Sequence, residues 1–415
     1  VRNVAPFCCM LFNNSSIAMK INSMHILADA SMPQVAVLVE HLQAQGMALT
    51  LSTFQGRQPS AAQLSAADVL MIRSITRVDN TLLQQAPKLR WLGTATIGTE
   101  HVDAGACAAA GVTFASTPGV NARAVGDYVA SAVANFALER NQLPQGEVAI
   151  VGAGHTGCAA GERLQGLGLN VHYYDPPLHA QGIKFVHNNW QRVFNSAVIS
   201  LHVPLTTRGE FPTRHLINTK NIQQLAAGCL LINASRGAVV AEQALLQAMQ
   251  RQQALHVVLD VWEHEPQINH QLLPWLHYAT AHIAGHSLAG KVGGSLQLFE
   301  KWLQFAFGRN HSWQLPPLNA LLQPWPQAIA PWLWQQAQAP TWQMLASWVR
   351  GIYDIRNDDK QLRDQVSDSA SFDALRKAYQ ARPELSCGQV HGGDWLADSD
   401  WQQRLSQLSF SFSRL

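Results

Sequence analysis

Glu147 to Gly157, reading EVAIVGAGHTG, limits the fold more than any other stretch of the chain. Val148 to Val151 form a short apolar run, the pattern of a strand buried on both faces of a parallel sheet. Gly152-Ala-Gly-His-Thr-Gly157 follows at once, and a helix-compatible stretch, Cys158 to Leu167, comes next. Strand, G-x-G-x-x-G and helix in that order form a dinucleotide-binding fingerprint. Gly152 serves the tight turn, Gly154 admits a pyrophosphate close to the backbone, and Gly157 lets helix and strand pack. His155 and Thr156 complete the phosphate loop at the helix N-terminus. A second strand, Asn170 to Tyr174, ends in Asp175, at the spacing expected of a ribose-binding acid. Two prolines and no Arg follow it, so the expected coenzyme is NAD rather than NADP.

A chain of 415 residues, 47% hydrophobic, has room for two or three domains with sizeable cores. Its formal net charge of +2 argues against a nucleic-acid partner. No apolar run is long enough for a membrane span. The six cysteines show neither a C-x-x-C pair nor zinc spacing. Metal is therefore not expected, and a reduced, cytoplasmic setting is. Residues 1–23 have no periodicity and read as a disordered extension. From Met24 onward strand and helix patterns alternate: a helix at Val35 to Gln45, strands at Val69 to Ile72 and Leu89 to Leu92. Asn121 is placed to cap a long Ala- and Val-rich helix, Ala122 to Arg140. Further strands are expected at Val198, Leu230, Val257 and Tyr278. Pro316, Pro317, Pro324, Pro326 and Pro331 read as a linker, and five Trp residues cluster between Trp325 and Trp348.

Arg236, Glu265 and His282 each follow one of three successive expected strands. Residues at strand C-termini of an open α/β sheet converge on one crevice. A guanidinium can clamp a carboxylate, an imidazole can move a proton near neutral pH, and a carboxylate beside it fixes its tautomer. With a nicotinamide, such a set can oxidise a 2-hydroxy acid.

Asn233-Ala-Ser-Arg-Gly237, Asp260-Val-Trp-Glu-His-Glu-Pro266 and His282-Ile-Ala-Gly285 resemble the signatures of the D-2-hydroxyacid dehydrogenase family. Met71 to Thr76, Gly93 to Thr99, Asp175-Pro-Pro177, Ser287 to Lys291, Tyr353 to Asp359 and Phe372 to Lys377 narrow the likeness. They point to a branch with an extra C-terminal domain, acting on a 4-phosphorylated 2-hydroxy acid of vitamin B6 synthesis. The resemblance implies two Rossmann-like doubly wound parallel-sheet domains flanking a cleft, plus a small C-terminal α+β dimerisation domain. The implied division is a substrate domain at 24–121 completed by 284–309, an NAD domain at 122–283, and a homodimer-forming domain at 310–415. Arg236, Glu265 and His282 are implied to be catalytic. Ala234, Ser235, Arg236, Asp260, Gly285 and Val203 are implied to line the NAD site, and Ser74, Thr96 and His286 to meet substrate.

Three positions depart from the pattern: His286 stands for Tyr, Val203 for Thr, and Asp127 for Glu. As imidazolium, His286 would suit a phosphate. That phosphate requires a cation besides Arg236. Arg73, between a strand and Ser74, is the leading candidate, and Arg382, reaching over a partner's cleft, the second. Two alternatives stay open: another family member such as a 3-phosphoglycerate dehydrogenase, or an NAD-sensing corepressor.

Overall fold

The computed structural model describes residues 23–96, 98–326, 329–380 and 382–414. The body of the expected N-terminal extension, residues 1–22, lies outside the described residues. Among the described residues fifteen strands form three sheets, and every pairing is parallel. The first sheet holds β1 (Met24–Asp29), β2 (Leu49–Phe54), β3 (Val69–Ile72), β4 (Trp91–Thr94) and β5 (Thr113–Ser116), ordered 2-1-3-4-5. The second holds β6 (Glu147–Val151), β7 (Asn170–Tyr174), β8 (Val186–His187), β9 (Val198–Leu201), β10 (Cys229–Asn233), β11 (Leu255–Leu259) and β12 (Tyr278–Ala279), ordered 12-11-10-9-6-7-8. The strand order reverses between β6 and β9, the switch point where open sheets hold their ligands. Val198, Ile199, Leu230, Leu231 and Ile232 are wholly buried, as expected of strands covered on both faces.

The third sheet, β13 (Trp332–Gln336), β14 (Gly388–Gly392) and β15 (Ser411–Arg414), belongs to the C-terminal part. That part is packed onto the second sheet's helices. Leu345, Val349 and Ile352 share one core with Val129, Val133 and Phe136, and Leu405 and Leu408 join Leu164 and Leu167 in it. Trp334 and Trp348 stack at 5.0 Å within the same core. The stretch just after residue 310, where the C-terminal domain is expected to start, packs on the first sheet. Leu321 and Leu322 are buried in the core of the first sheet, with Trp313, Leu318 and Trp325 against them. Proline stops helix there but does not release the segment, because its apolar side chains still have a surface to cover.

The helix Ala122–Arg140 is the spine of the molecule. Alanine supplies helix propensity, and Asn141, in the left-handed region at φ 49°, ends it. Small residues also let it sit buried on nearly every side: an added Cβ at Gly126 would lie 2.9 Å from the Ala159 carbonyl oxygen of the helix His155–Gly166. Asn121 precedes the helix but makes no side-chain cap, contrary to expectation. Its amide is wedged instead against Gly285, where a Cβ would stand 2.4 Å from Asn121 Nδ2.

Asp127 is the one charge in the middle of that spine. Its Oδ1 accepts from Arg163 Nε at 2.7 Å and its Oδ2 from the Leu385 amide at 2.8 Å. Both side chains are almost fully buried. Arg163 also donates to the Gln407 carbonyl at 2.7 Å, so one ion pair ties the coenzyme helix to the C-terminal part. Removing one member of a buried pair strands the other charge. Asp127→Ala should therefore lose about 3–5 kcal/mol of stability in denaturant unfolding. A loss below about 1 kcal/mol, the scale of one ordinary hydrogen bond, would show that Arg163 does not depend on it.

Candidate active site

The phosphate loop has the geometry its glycines imply. Gly152 takes φ 94°, and a Cβ there would meet the His202 carbonyl oxygen at 2.7 Å. At Gly157 a Cβ would come within 1.9 Å of the Gly152 carbonyl oxygen, so no larger residue fits. Gly154 is different: nothing lies within 4 Å of its Cβ position, which leaves open room over the N-terminus of the helix His155–Gly166. Asp175 stands at the end of β7. Its Oδ2 accepts from the Ala153 amide at 2.8 Å and its Oδ1 from the Leu178 amide at 3.0 Å. The carboxylate is thereby fixed beside the loop. Open backbone at a helix N-terminus with an anchored acid next to it fits an adenine dinucleotide. Val203 touches the same turn, its Cγ1 2.9 Å from the Gly152 Cβ position. His155 lies across the cleft from Gly119, whose Cβ would meet its ring at 2.9 Å.

His282 and Glu265 meet as expected. The Nδ1 of His282 is 2.7 Å from Glu265 Oε2, and Glu265 Oε1 accepts from the Trp262 amide at 2.8 Å. Burial works against the Glu265 charge, but the His282 imidazole and the Trp262 amide outweigh it, and its pKa lies below the ordinary carboxylate range. The carboxylate is therefore ionised throughout the neutral range. His282 takes φ 55°, in the left-handed region that a non-glycine residue rarely enters. Backbone strain of this kind persists only where surrounding bonds over-determine it. Here the bonds come from Asp260. Its carbonyl accepts from the His282 amide at 2.7 Å. Its Oδ1 accepts from Thr280 Oγ1 at 2.7 Å and the Ile283 amide at 2.8 Å, and its Oδ2 from the Ala284 amide at 3.0 Å. Asp260, expected to line the coenzyme site, thus holds the His282 loop with both oxygens.

Arg236 leaves β10 in a turn braced by Asn233. Asn233 Oδ1 accepts from Ser235 Oγ at 2.7 Å, and its Nδ2 donates to the Arg236 carbonyl at 3.0 Å. Gly237 presses the turn onto Trp262, where a Cβ would lie 1.9 Å from a carbonyl oxygen. The Arg236 guanidinium reaches the first sheet's side of the cleft. Its Nε and Nη2 donate to Glu100 Oε1 at 3.2 and 3.1 Å. A carboxylate thus already occupies the arginine fork. Thr96 holds that facing loop together: its Oγ1 donates to the Gly98 carbonyl at 2.9 Å and lies 2.8 Å from Thr94 Oγ1. Ser74 and Glu100 border a cavity of about 520 Å³ on the same side. Arg73 extends from the end of β3, its Nε donating at 2.9 Å to the buried Asp29.

Two expectations are corrected. Arg382 is not a residue poised over another subunit's cleft. It is buried in its own chain, giving Nη1 to the carbonyls of Ile283 (3.0 Å) and His286 (3.2 Å) and Nη2 to those of Ala284 (2.6 Å) and Ala124 (2.9 Å). The Tyr353 ring lies 4.0 Å under its guanidinium. With both terminal nitrogens held by backbone carbonyls and its Nε buried without a partner among the described residues, it is scaffold for the His282 loop. His286 is not an imidazolium: burial first, then Lys291, Arg376, His282 and Arg382, drive its pKa well below the usual histidine range. Sequence reasoning assigned no role to Glu100, Lys291 or Arg376. Lys291 carries a usable signal, since a cation in the first turn of a helix opposes the helix dipole. Among the described residues no group of His, Cys, Asp and Glu could hold a metal, and no helix is long and apolar enough to cross a membrane.

Comparison with known proteins agrees with this geometry. Residues 123–286 match the family described as D-isomer specific 2-hydroxyacid dehydrogenase, NAD binding domain, and residues 330–408 match a domain of unknown function. The 3-phosphoglycerate dehydrogenase of Entamoeba histolytica, solved with NAD+, superimposes with TM-score 0.58 at 19% identity, covering 71% of this chain and all of that one. A D-lactate dehydrogenase of Treponema pallidum gives 0.56 at 21% identity over 71% of this chain and 100% of that one. Those two likenesses speak for the fold. The class is thus an NAD-dependent D-2-hydroxyacid dehydrogenase, an oxidoreductase. An erythronate-4-phosphate dehydrogenase from Idiomarina loihiensis is 44% identical over 362 residues, 86% of this chain and 91% of the relative. Another from Aeromonas hydrophila is 40% identical over 377 residues, 89% and 96% of the two chains. The chain belongs to the erythronate-4-phosphate dehydrogenase family.

The His282–Glu265 pair gives a signed pH prediction. Only a neutral ring can accept a proton, and Glu265→Gln takes away the negative charge 2.7 Å from it. In Glu265→Gln the acid limb of the pH–rate profile should move to lower pH, with a reduced maximum rate. A limb that stays in place would separate Glu265 from the proton transfer.

Proposed function

We propose that the protein oxidises 4-phospho-D-erythronate at C2, yielding (R)-3-hydroxy-2-oxo-4-phosphooxybutanoate on the route to pyridoxal 5′-phosphate. The observation that carries this reading is the His282–Glu265 hydrogen bond at 2.7 Å, facing the crevice into which Arg236 also projects from the neighbouring strand end. The names of the relatives supply the substrate. Arg236 exchanges Glu100 for the substrate carboxylate, in the same two-nitrogen grip. The far nitrogen of His282 takes the C2 hydroxyl proton, and Glu265 holds the resulting positive ring in place. NAD, when bound, accepts the hydride that leaves C2. Gly152 to Gly157 and Asp175 hold it, with Val203, Ala234, Ser235 and Gly285 along its path. Ser74 and Thr96 flank the substrate from the first sheet, and Arg73 faces its phosphate.

The protein is proposed to work in the cytoplasm as a homodimer. The three-stranded sheet offers a surface for it: on β13, Trp332 is 41% and Leu333 53% exposed, unusual for such large apolar side chains. Leu333→Asp should shift the sedimentation coefficient from dimer to monomer. A wild-type protein that sediments as a monomer would end that part of the reading.

His282→Ala tests the chemistry. Turnover of 4-phosphoerythronate should fall about 10²–10⁴-fold, the range of a lost general base, while NAD still binds with unchanged affinity in a titration. Near wild-type turnover across the pH range would remove His282 from the reaction.

A further inference from the structure

The reaction proposed above leaves a phosphate to be met, and two of the cations expected to meet it are not available. Arg382 has both terminal nitrogens on four backbone carbonyls and its Nε buried, and burial together with the cations around it disfavours a charged His286. Arg73 has given its Nε to Asp29 and keeps only its terminal nitrogens.

Two other cations stand in the same wall. Lys291 lies in the first turn of the helix Leu288–Phe307, whose N-cap Ser287 directly follows His286. That helix closes on the cleft through small residues. A Cβ at Gly290 would lie 3.5 Å from the Val120 carbonyl oxygen, and one at Gly294 would lie 3.4 Å from Ala95, the neighbour of Thr96. Lys291 reaches solvent and has no hydrogen bond or ion pair from its ammonium among the described residues. Arg376 comes from the helix Ser369–Ala378 of the C-terminal part. Its Nε donates to the carbonyl oxygen of His282 at 3.3 Å, which sets the guanidinium one residue's breadth from the reacting centre. No carboxylate pairs with it among the described residues. Partial burial, then Arg73, Arg376 and Arg382, hold the Lys291 ammonium below the usual lysine range, so these cations feel one another. The nearby acids are already engaged: Glu265 with His282, Asp29 with Arg73, and Asp358 with the Tyr353 and Tyr379 hydroxyls.

We propose that Lys291 and Arg376, with the terminal nitrogens of Arg73, form the subsite for the substrate's phosphate. The C-terminal part thereby contributes to the active site of its own chain. The inference rests on the proposed reaction for the identity of the anion. Its physical basis is separate. Lys291 and Arg376 have no carboxylate partner among the described residues: Glu265 and Asp358 are engaged elsewhere, and Asp29 takes one nitrogen of Arg73. Such an excess of cations is a site for a dianion, and a phosphate monoester brings about −1.5 to −2 charges. In the substrate, the phosphate is two carbon–carbon bonds and one ester link from the C2 that His282 serves. A phosphate bound there sets C2 against the imidazole, so the subsite selects phosphorylated over plain hydroxy acids.

The test compares Lys291→Met, Arg376→Gln and Arg73→Ala with wild type in the full-length protein. Each should lower kcat/KM for 4-phosphoerythronate by about 10- to 100-fold, the scale of a lost charge-assisted hydrogen bond. Turnover of unphosphorylated erythronate and NAD affinity should stay within about 3-fold, as expected where a lost contact touches neither. Because Arg376 also touches the His282 carbonyl, Arg376→Lys is included and should restore part of the loss. Equal losses on both substrates would make these residues structural, a fall in NAD affinity would assign them to the coenzyme, and no loss would remove them; each overturns the proposal. If wild type fails to oxidise 4-phosphoerythronate, the reaction is wrong, and the subsite is then judged with inorganic phosphate alone. Phosphate should raise the Tm of wild type and not of Lys291→Met. Equal stabilisation of the two would overturn the subsite.

Discussion

The carboxylate of Asp260 is the interaction on which the rest of the active site depends. It sits at the end of β11, nearly fully buried, and gathers Thr280, Ile283 and Ala284 onto two oxygens. Charge-assisted hydrogen bonds of this kind are about twice as strong as neutral ones. They convert a short, two-residue strand and its loop into a rigid mount. A left-handed His282 backbone is tolerable because the bonds on either side leave the residue no cheaper conformation. The buried hydroxyl of Tyr128, 2.8 Å from Thr280 Oγ1, extends the same mount into the long helix.

Arg382 completes the clamp from the opposite direction. Asp260 takes the loop's amides and Arg382 takes its carbonyls, so the segment from His282 to His286 is held as firmly as secondary structure without being any. Ser287, the next residue, donates to buried Glu384 at 2.6 Å and accepts from the Gly290 amide at 2.9 Å. The C-terminal part is therefore no appendage. It supplies Arg382 and Glu384 to the loop, Leu385 to Asp127, and its apolar helices to the core beneath the coenzyme.

What was legible in the sequence was local. The phosphate loop, the two strands around it and Asp175 obey short-range spacing, and they fold as read. Arg236, Glu265 and His282 follow the ends of three adjacent strands, as read, because strand C-termini in a parallel sheet share one edge. Misreadings arose where a side chain's fate is set by residues far along the chain. Arg382 looks like any loop arginine until Ala124 and the 283–286 carbonyls surround it. His286 is kept from charging first by burial, then by Lys291, Arg376, His282 and Arg382, and its burial is set by the fold rather than by its neighbours in sequence. Glu100 was passed over because only the folded cleft brings it to Arg236. The proline-rich stretch after Arg309 has the composition of a linker, and only its contacts with the first sheet's core decide otherwise.

The clamp also orders events in time. Arg382 lies 98 residues beyond Ala284, whose carbonyl it holds. At synthesis rates of about 5–20 residues per second, that separation is roughly 5–20 s of elongation. During that interval the emerging chain contains every strand of the coenzyme sheet and every residue of the Arg236, Glu265 and His282 set. It already contains Asp260, which takes the loop's amides, but not yet Arg382, which takes its carbonyls. A nascent chain of this protein can own a coenzyme fold before it owns a finished catalytic loop, and the arrival of Arg382 determines when one becomes the other.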